Sequence, residues 1–154
     1  MKGALIPPWR TRVTRLMNER FLFDASLRVR HPSMAAAQIV DMFGWEPQVA
    51  QSVHEQRRTK VGTLLAGDYK QTYLSFPLET GDHDRPEDFL WAHLAEPDSR
   101  DQLAIARAIE AGCSVTYAFG ISCPGSSGFE LEAKLIEAIH CTGVSLSFYL
   151  YGFA

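Results

Sequence analysis

The run FLFDASLRVR at 21–30, followed by His31-Pro32-Ser33 and then by AAAQIVDMFGWEP at 35–47, changes its period once. Phe21, Phe23, Ala25, Leu27 and Val29 alternate with Leu22, Asp24, Ser26, Arg28 and Arg30, the period of a half-buried strand. Pro32 has no N–H for a ladder and ends that strand. Ala36, Ile39, Val40 and Phe43 then fall at helical spacing on one stripe, with Gly44 placed to take the left-handed conformation past the helix end. The pattern predicts a strand whose apolar side the helix covers. Every later strand then pairs with this one directly or through a neighbour.

Working outward, Val49, Gln51, Val53 and Glu55 alternate loosely before Arg57-Arg58-Thr59-Lys60, Gly62 and Gly67. This reads as a short strand and an irregular loop at a sheet edge, where charge discourages stray pairing. Residues 69–78 read as a strand with Thr72, Leu74, Phe76 and Leu78 on one face and Tyr69, Gln71, Tyr73 and Ser75 on the other. An acidic loop follows. Asp84 is the expected N-cap of a helix with Pro86 in its first turn, and Glu87 and Asp88 suit its dipole. Phe89, Leu90 and His93 or Leu94 give its stripe. Pro97 interrupts, and Asp98 or Ser99 caps a segment with the stripe Leu103, Ile105, Ala106 and Ile109, closed by Gly112. These two segments read as one kinked helix or as two helices.

Val115, Tyr117, Phe119 and Ile121 alternate with Ser114, Thr116, Ala118 and Gly120 in a further strand. Residues 124–128 are a loop by composition. Leu131, Leu135, Ile136 and Ile139 mark a helix ended by Gly143. Val144, Leu146, Phe148 and Leu150 alternate with Ser145, Ser147, Tyr149 and Tyr151 in a last strand. The order β-α-β-β-α(α)-β-α-β predicts an α+β fold: a mostly antiparallel or mixed five-stranded sheet with helices on one face. It is a ferredoxin-like unit with an added helix and strand. Residues 1–16, with Pro7-Pro8 and scattered bases, read as a flexible basic arm before a single α+β domain over 17–154.

The chain has 154 residues and a net charge of −3, so no overall basic field points to nucleic acid or an anionic membrane. The charge is uneven. Residues 1–30 hold seven bases against two acids, and residues 79–101 hold eight acids against two bases. Three cysteines, Cys113, Cys123 and Cys141, make an odd count without a C-x-x-C and suit a reducing compartment. No apolar run approaches a membrane span, and the N-terminus lacks the apolar core of a signal peptide. The expectation is a cytoplasmic protein with no membrane partner.

The pieces HPS at 31–33, GWEP at 44–47, GDYKQTYLSF at 67–76, SGFEL at 127–131 and LSFYLYG at 146–152 together resemble a small, mostly bacterial family, domain-of-unknown-function family 4279. The resemblance covers about residues 21–152 and rests on the order and spacing of these pieces. Members often carry an acid and a proline where the first helix begins and an acid inside the last strand; this chain has Ala35-Ala36 and Tyr149 there. The resemblance implies the fold and brings no catalytic residues or cofactor with it.

His31, His54, His83, His93 and His140 are scattered, and none forms the His-x-x-x-His pair that sets two metal ligands on one helix face. His31 reads as the residue that ends the first strand and fixes its turn. Gly120-Ile121-Ser122-Cys123-Pro124-Gly125 misses the G-x-S-x-G elbow by one residue, and Gly125-Ser126-Ser127-Gly128 lacks the lysine of a phosphate loop. No catalytic residue, metal or cofactor is indicated.

One constellation remains. With the apolar positions turned to the helices, Arg28, Arg30, Tyr69, Tyr73, Tyr149 and Tyr151 share the opposite sheet face. Arginine and tyrosine there suit a protein hot spot or, as a lesser reading given the negative charge, the stacking of nucleic-acid bases. The expectation is a non-enzymatic protein-interaction domain, of which an immunity or inhibitor protein is one form. It would dock through this face or through the acidic loop with Asp82, Asp84 and Asp88. The alternative is a small-molecule or enzymatic pocket between sheet and helices lined by Trp45, Trp91 and Tyr117. Self-association through an edge strand or the sheet face, giving a homo-oligomer, is a third reading.

Overall fold

A computed structural model describes residues 22–81, 83–123 (Cys123 by its backbone alone) and 128–152. The arm expected over 1–16 and the acid Asp82 lie outside the described residues. In chain order the elements are β1 (Leu22–His31), α1 (Ala36–Phe43), β2 (Val49–Gln51), β3 (Gln56–Arg58), β4 (Leu64–Asp68), β5 (Thr72–Leu78), α2 (Pro86–Leu94), α3 (Arg100–Glu110), β6 (Ser114–Cys123), α4 (Ala133–Thr142) and β7 (Ser145–Gly152).

β1 is the middle strand of a five-stranded sheet ordered β2-β5-β1-β6-β7. Its pairings with β5 and β6 are antiparallel, as is that of β2 with β5; β6 and β7 run parallel. Apart from β3 and β4, which pair only with each other, the first four strands of this sheet have the order of a split β-α-β, ferredoxin-like unit. α4 then carries the chain across to β7. The alternation read from the sequence sets the faces. Val29 lies opposite Leu74 and Val115, and Leu27 opposite Phe76 and Tyr117, so apolar side chains form rows across the sheet. Ile39 and Phe43 of α1, Phe89 and Leu90 of α2, Ile105 and Ala108 of α3, and Leu135 and Ile139 of α4 close one continuous core over that face. Each large aliphatic or aromatic side chain so buried contributes about 1.5–3 kcal/mol relative to exposure.

The structure departs from the expected elements in five places. The stretch read as an edge loop forms a two-stranded hairpin, β3–β4, with a register irregularity between Gln56 and Arg58. β5 starts at Thr72, so Tyr69 sits in the turn after β4, outside the large sheet. Of the two readings open around Pro97, two helices is the one formed, and the departure there is the cap. α2 takes Arg85 rather than Asp84 as its N-cap and Pro86 as its first residue, the Arg85 side chain itself making no cap bond, whereas Ser99 caps α3 by accepting from the Gln102 N–H at 3.2 Å. α3 buries Gln102, Ala104, Ile105 and Ala108 and leaves Leu103 and Ala106 outside. α4 starts at Ala133 and exposes Ile136.

Side chains pin the junctions. Ser52 Oγ accepts the Ala36 N–H at 2.9 Å and so caps α1 from outside it. His31 Nδ1 accepts from the backbone N–H groups of Ser33 (3.0 Å) and Met34 (2.7 Å), which places the ring proton on Nε2, 3.1 Å from the Ala111 carbonyl. One imidazole thus turns the chain after β1 and ties it to the end of α3. His31→Ala is expected to cost about 2 kcal/mol, the effect of leaving partly buried backbone groups unpaired. A urea denaturation midpoint unchanged from wild type would refute that role.

Candidate functional site

The helices cover one side of the sheet. On the other side, the register aligns Tyr73 with Arg30 and Ser114; Ser75 with Arg28, Thr116 and Ser145; and Asp24 with Gly120 and Tyr149. The β6 positions in these rows are all small. Tyr149 reaches diagonally over that strand to Arg28, whose Nη1 donates to the phenol oxygen at 2.6 Å while the guanidinium lies 4.8 Å from the ring centroid. Gly120 leaves room for the side chain of its cross-strand neighbour Asp24: a Cβ there would sit 2.8 Å from an Asp24 carboxylate oxygen. Next to this pair, the Arg30 guanidinium lies 5.1 Å from the ring of its cross-strand neighbour Tyr73. The Arg28 Nε–H is out of solvent and has no hydrogen-bond partner among the described residues. Tyr149 and Tyr151 remain 43% and 58% exposed.

Five of the six sequence-selected residues therefore share the face: Arg28, Arg30, Tyr73, Tyr149 and Tyr151. Tyr69 does not join them. Its hydroxyl bonds the Arg58 backbone N–H at 3.1 Å, holding the β3–β4 hairpin. Asp84 is exposed on the loop before α2. Asp88 lines a groove of about 380 Å³ between α2 and α4, together with Arg85, Glu87, Trp91, Glu130, Glu132 and Leu135. Arg85 pairs there with Glu87 at 3.4 Å.

The aromatic residues considered for an internal pocket are distributed differently. Tyr117 is fully buried, and its hydroxyl accepts from Gln102 Nε2 at 3.2 Å. Trp45 packs on Phe43 and Phe76 at centroid distances of 5.2 and 5.7 Å. Trp91 faces the groove. A shallower hollow of about 200 Å³ is lined by Ala92, His93, Glu96, Ser99 and Asp101. The His93 ring is wedged between Phe89 (4.4 Å) and Tyr117 (5.9 Å), and Ser99 Oγ is occupied as the α3 cap. Among the described residues, no group of His, Cys, Asp and Glu side chains is arranged to hold a metal ion, and no helix is long and apolar enough to cross a membrane.

Burial holds the His93 pKa below its usual 6.5; Asp101 opposes the shift and His83 adds to it. A histidine depressed in the folded state stabilises fully above 6.5 and less as pH falls below that value, because the unfolded chain then binds the proton first. The unfolding midpoint should therefore fall between about pH 7.5 and about pH 5, and fall less in His93→Gln. Equal slopes in the two proteins would contradict this assignment.

No protein-family model, curated protein or solved structure matches the chain.

Proposed function

We propose that this chain is a non-enzymatic protein-interaction domain. Its docking surface is the sheet face opposite the helices, and its partner presents carboxylates beside apolar groups. The observation that carries this reading is the pairing of Arg28 with Tyr149 and Arg30 with Tyr73 on a face that no described helix covers. Tyrosine and arginine dominate the energetics of protein interfaces, because they combine large, rigid contact area with directed donors. Here both guanidiniums are already set over rings. Little side-chain entropy remains to be lost when a carboxylate binds them.

Affinity capture from the native host's lysate tests the proposal, with wild type and the triple variant Arg28→Ala, Tyr73→Ala, Tyr149→Ala as matched baits. A stoichiometric protein held by wild type and lost by a triple variant with native circular dichroism is the expected result. A partner held equally by both baits, or by neither, rejects the sheet face as the docking surface.

A further inference from the structure

The β3–β4 hairpin is ordered but buries almost nothing. Its root is closed by the His54 N–H donating to the Tyr69 carbonyl (3.1 Å) and the Tyr69 N–H donating to the Glu55 carbonyl (2.9 Å). Its tip is closed by the Thr59 N–H to the Thr63 carbonyl and the Gly62 N–H to the Thr59 carbonyl, both 2.9 Å. Gly62 takes the positive φ of +86° that this tip requires. Every residue of both strands is nevertheless exposed. Val61 at the tip is 88% exposed, Leu64 52% and Leu65 38%. Arg57, Arg58 and Lys60 accompany them, while the hairpin's acids, Glu55 and Asp68, stay at its root. A lone two-stranded ribbon gains little from water-exposed leucines, and apolar side chains gathered this way mark a contact surface.

We infer that this hairpin docks tip-first on an anionic lipid surface. Three features select that occupant. Leu64 lies directly opposite Arg58 and so shares its face, whereas Leu65, the next residue along the strand, points to the other face. Apolar groups thus sit at the tip and on both faces, an arrangement that a surrounding headgroup layer covers and a flat protein surface does not. From Arg58 to Val61 the chain advances three residues, about 10 Å at most, which matches the depth an interfacial element reaches below the headgroups. With Val61 submerged, Arg58 stands at the level of the lipid phosphates with Leu64 across the ladder at the headgroup boundary, and Lys60, next to Val61, reaches back to the phosphates along its flexible stem. The chain's net charge of −3 does not oppose this, because surface potentials fall off within about 10 Å and the hairpin's own bases meet the membrane first.

The test is sedimentation of the whole protein with phosphatidylcholine vesicles containing about one-third phosphatidylserine, against vesicles of phosphatidylcholine alone. Wild type should bind the anionic vesicles, weakly at high salt, and not the neutral ones. Each base removed should weaken binding about fivefold, so Arg57→Ala, Arg58→Ala, Lys60→Ala together should weaken it roughly a hundredfold. Val61→Ser, Leu64→Ser should lose binding with all bases intact. All these side chains are exposed, so the variants keep the fold, which thermal unfolding confirms. Equal binding to both vesicle types, absence of binding, or variants that bind like wild type each overturn the inference. The same holds if wild type self-associates, ignores vesicles and is made monomeric by the triple variant; the hairpin would then belong in an acidic protein groove such as that lined by Glu130 and Glu132 of a second copy.

Discussion

Phe119→Ala is expected to lower stability by about 4 kcal/mol, in the range for deleting a buried aromatic ring. Phe119 has no exposed surface and joins three elements. Its ring meets Phe23 of β1 at 6.2 Å and Phe89 of α2 edge-on at 5.8 Å, and it stacks on Phe148 of β7 at 5.5 Å. Phe148 in turn packs on Phe129 at 5.0 Å. The rings around the gap are fixed by the sheet ladder and by α2, so they cannot collapse into it, and the cavity cost adds to the lost transfer energy. Urea denaturation measures the effect, with Leu150→Ala as a comparison. Leu150 is 68% exposed, so that change should stay within about 0.5 kcal/mol. A Phe119→Ala loss below about 1.5 kcal/mol would mean the aromatic cluster relaxes freely.

Tyr149→Ala should weaken partner binding by about 2–4 kcal/mol, roughly 30- to 1,000-fold in dissociation constant, while costing about 1 kcal/mol or less in stability. The asymmetry follows from its position. Half-exposed, Tyr149 gives the fold one hydrogen bond and one cation–π contact with Arg28, but it supplies the face with the ring that reaches across β6 to that arginine. Tyr149→Phe keeps the ring and loses only the hydroxyl, so its effect should be smaller. Arg28→Lys should behave more like Arg28→Ala than like wild type, because an ammonium cannot both lie flat on the ring and aim a planar fork of donors. Equal losses of stability and binding in Tyr149→Ala would make the residue structural.

What could be read in advance followed burial. β1, β6 and β7 each have one face against the core, and a period of two then writes itself into Val115, Tyr117, Phe119 and Ile121. The same alternation assigned Arg28, Arg30, Tyr73 and Tyr149 to one face. Their contacts were hidden, because the reach from Tyr149 to Arg28 depends on β7 lying parallel beside β6 and on small side chains between them. α3 departs from its apolar stripe for a different reason. Gln102 is buried because its amide donates to the His93 carbonyl at 2.8 Å and to the Tyr117 hydroxyl, and hydropathy cannot register a satisfied polar group. The β3–β4 hairpin buries neither face, so no apolar period marks it. Alternation that continues past the true start of β5 includes Tyr69, although its backbone belongs to the hairpin root.

Hydroxyl-radical footprinting of the free protein and of its complex with the captured partner bears most directly on the docking face. Tyr73, Tyr149 and Tyr151 should oxidise several-fold more slowly in the complex, while Trp91, on the helical side, keeps its free rate. Protection of Trp91 with the three tyrosines unchanged would contradict the account and move the interface to the groove between α2 and α4.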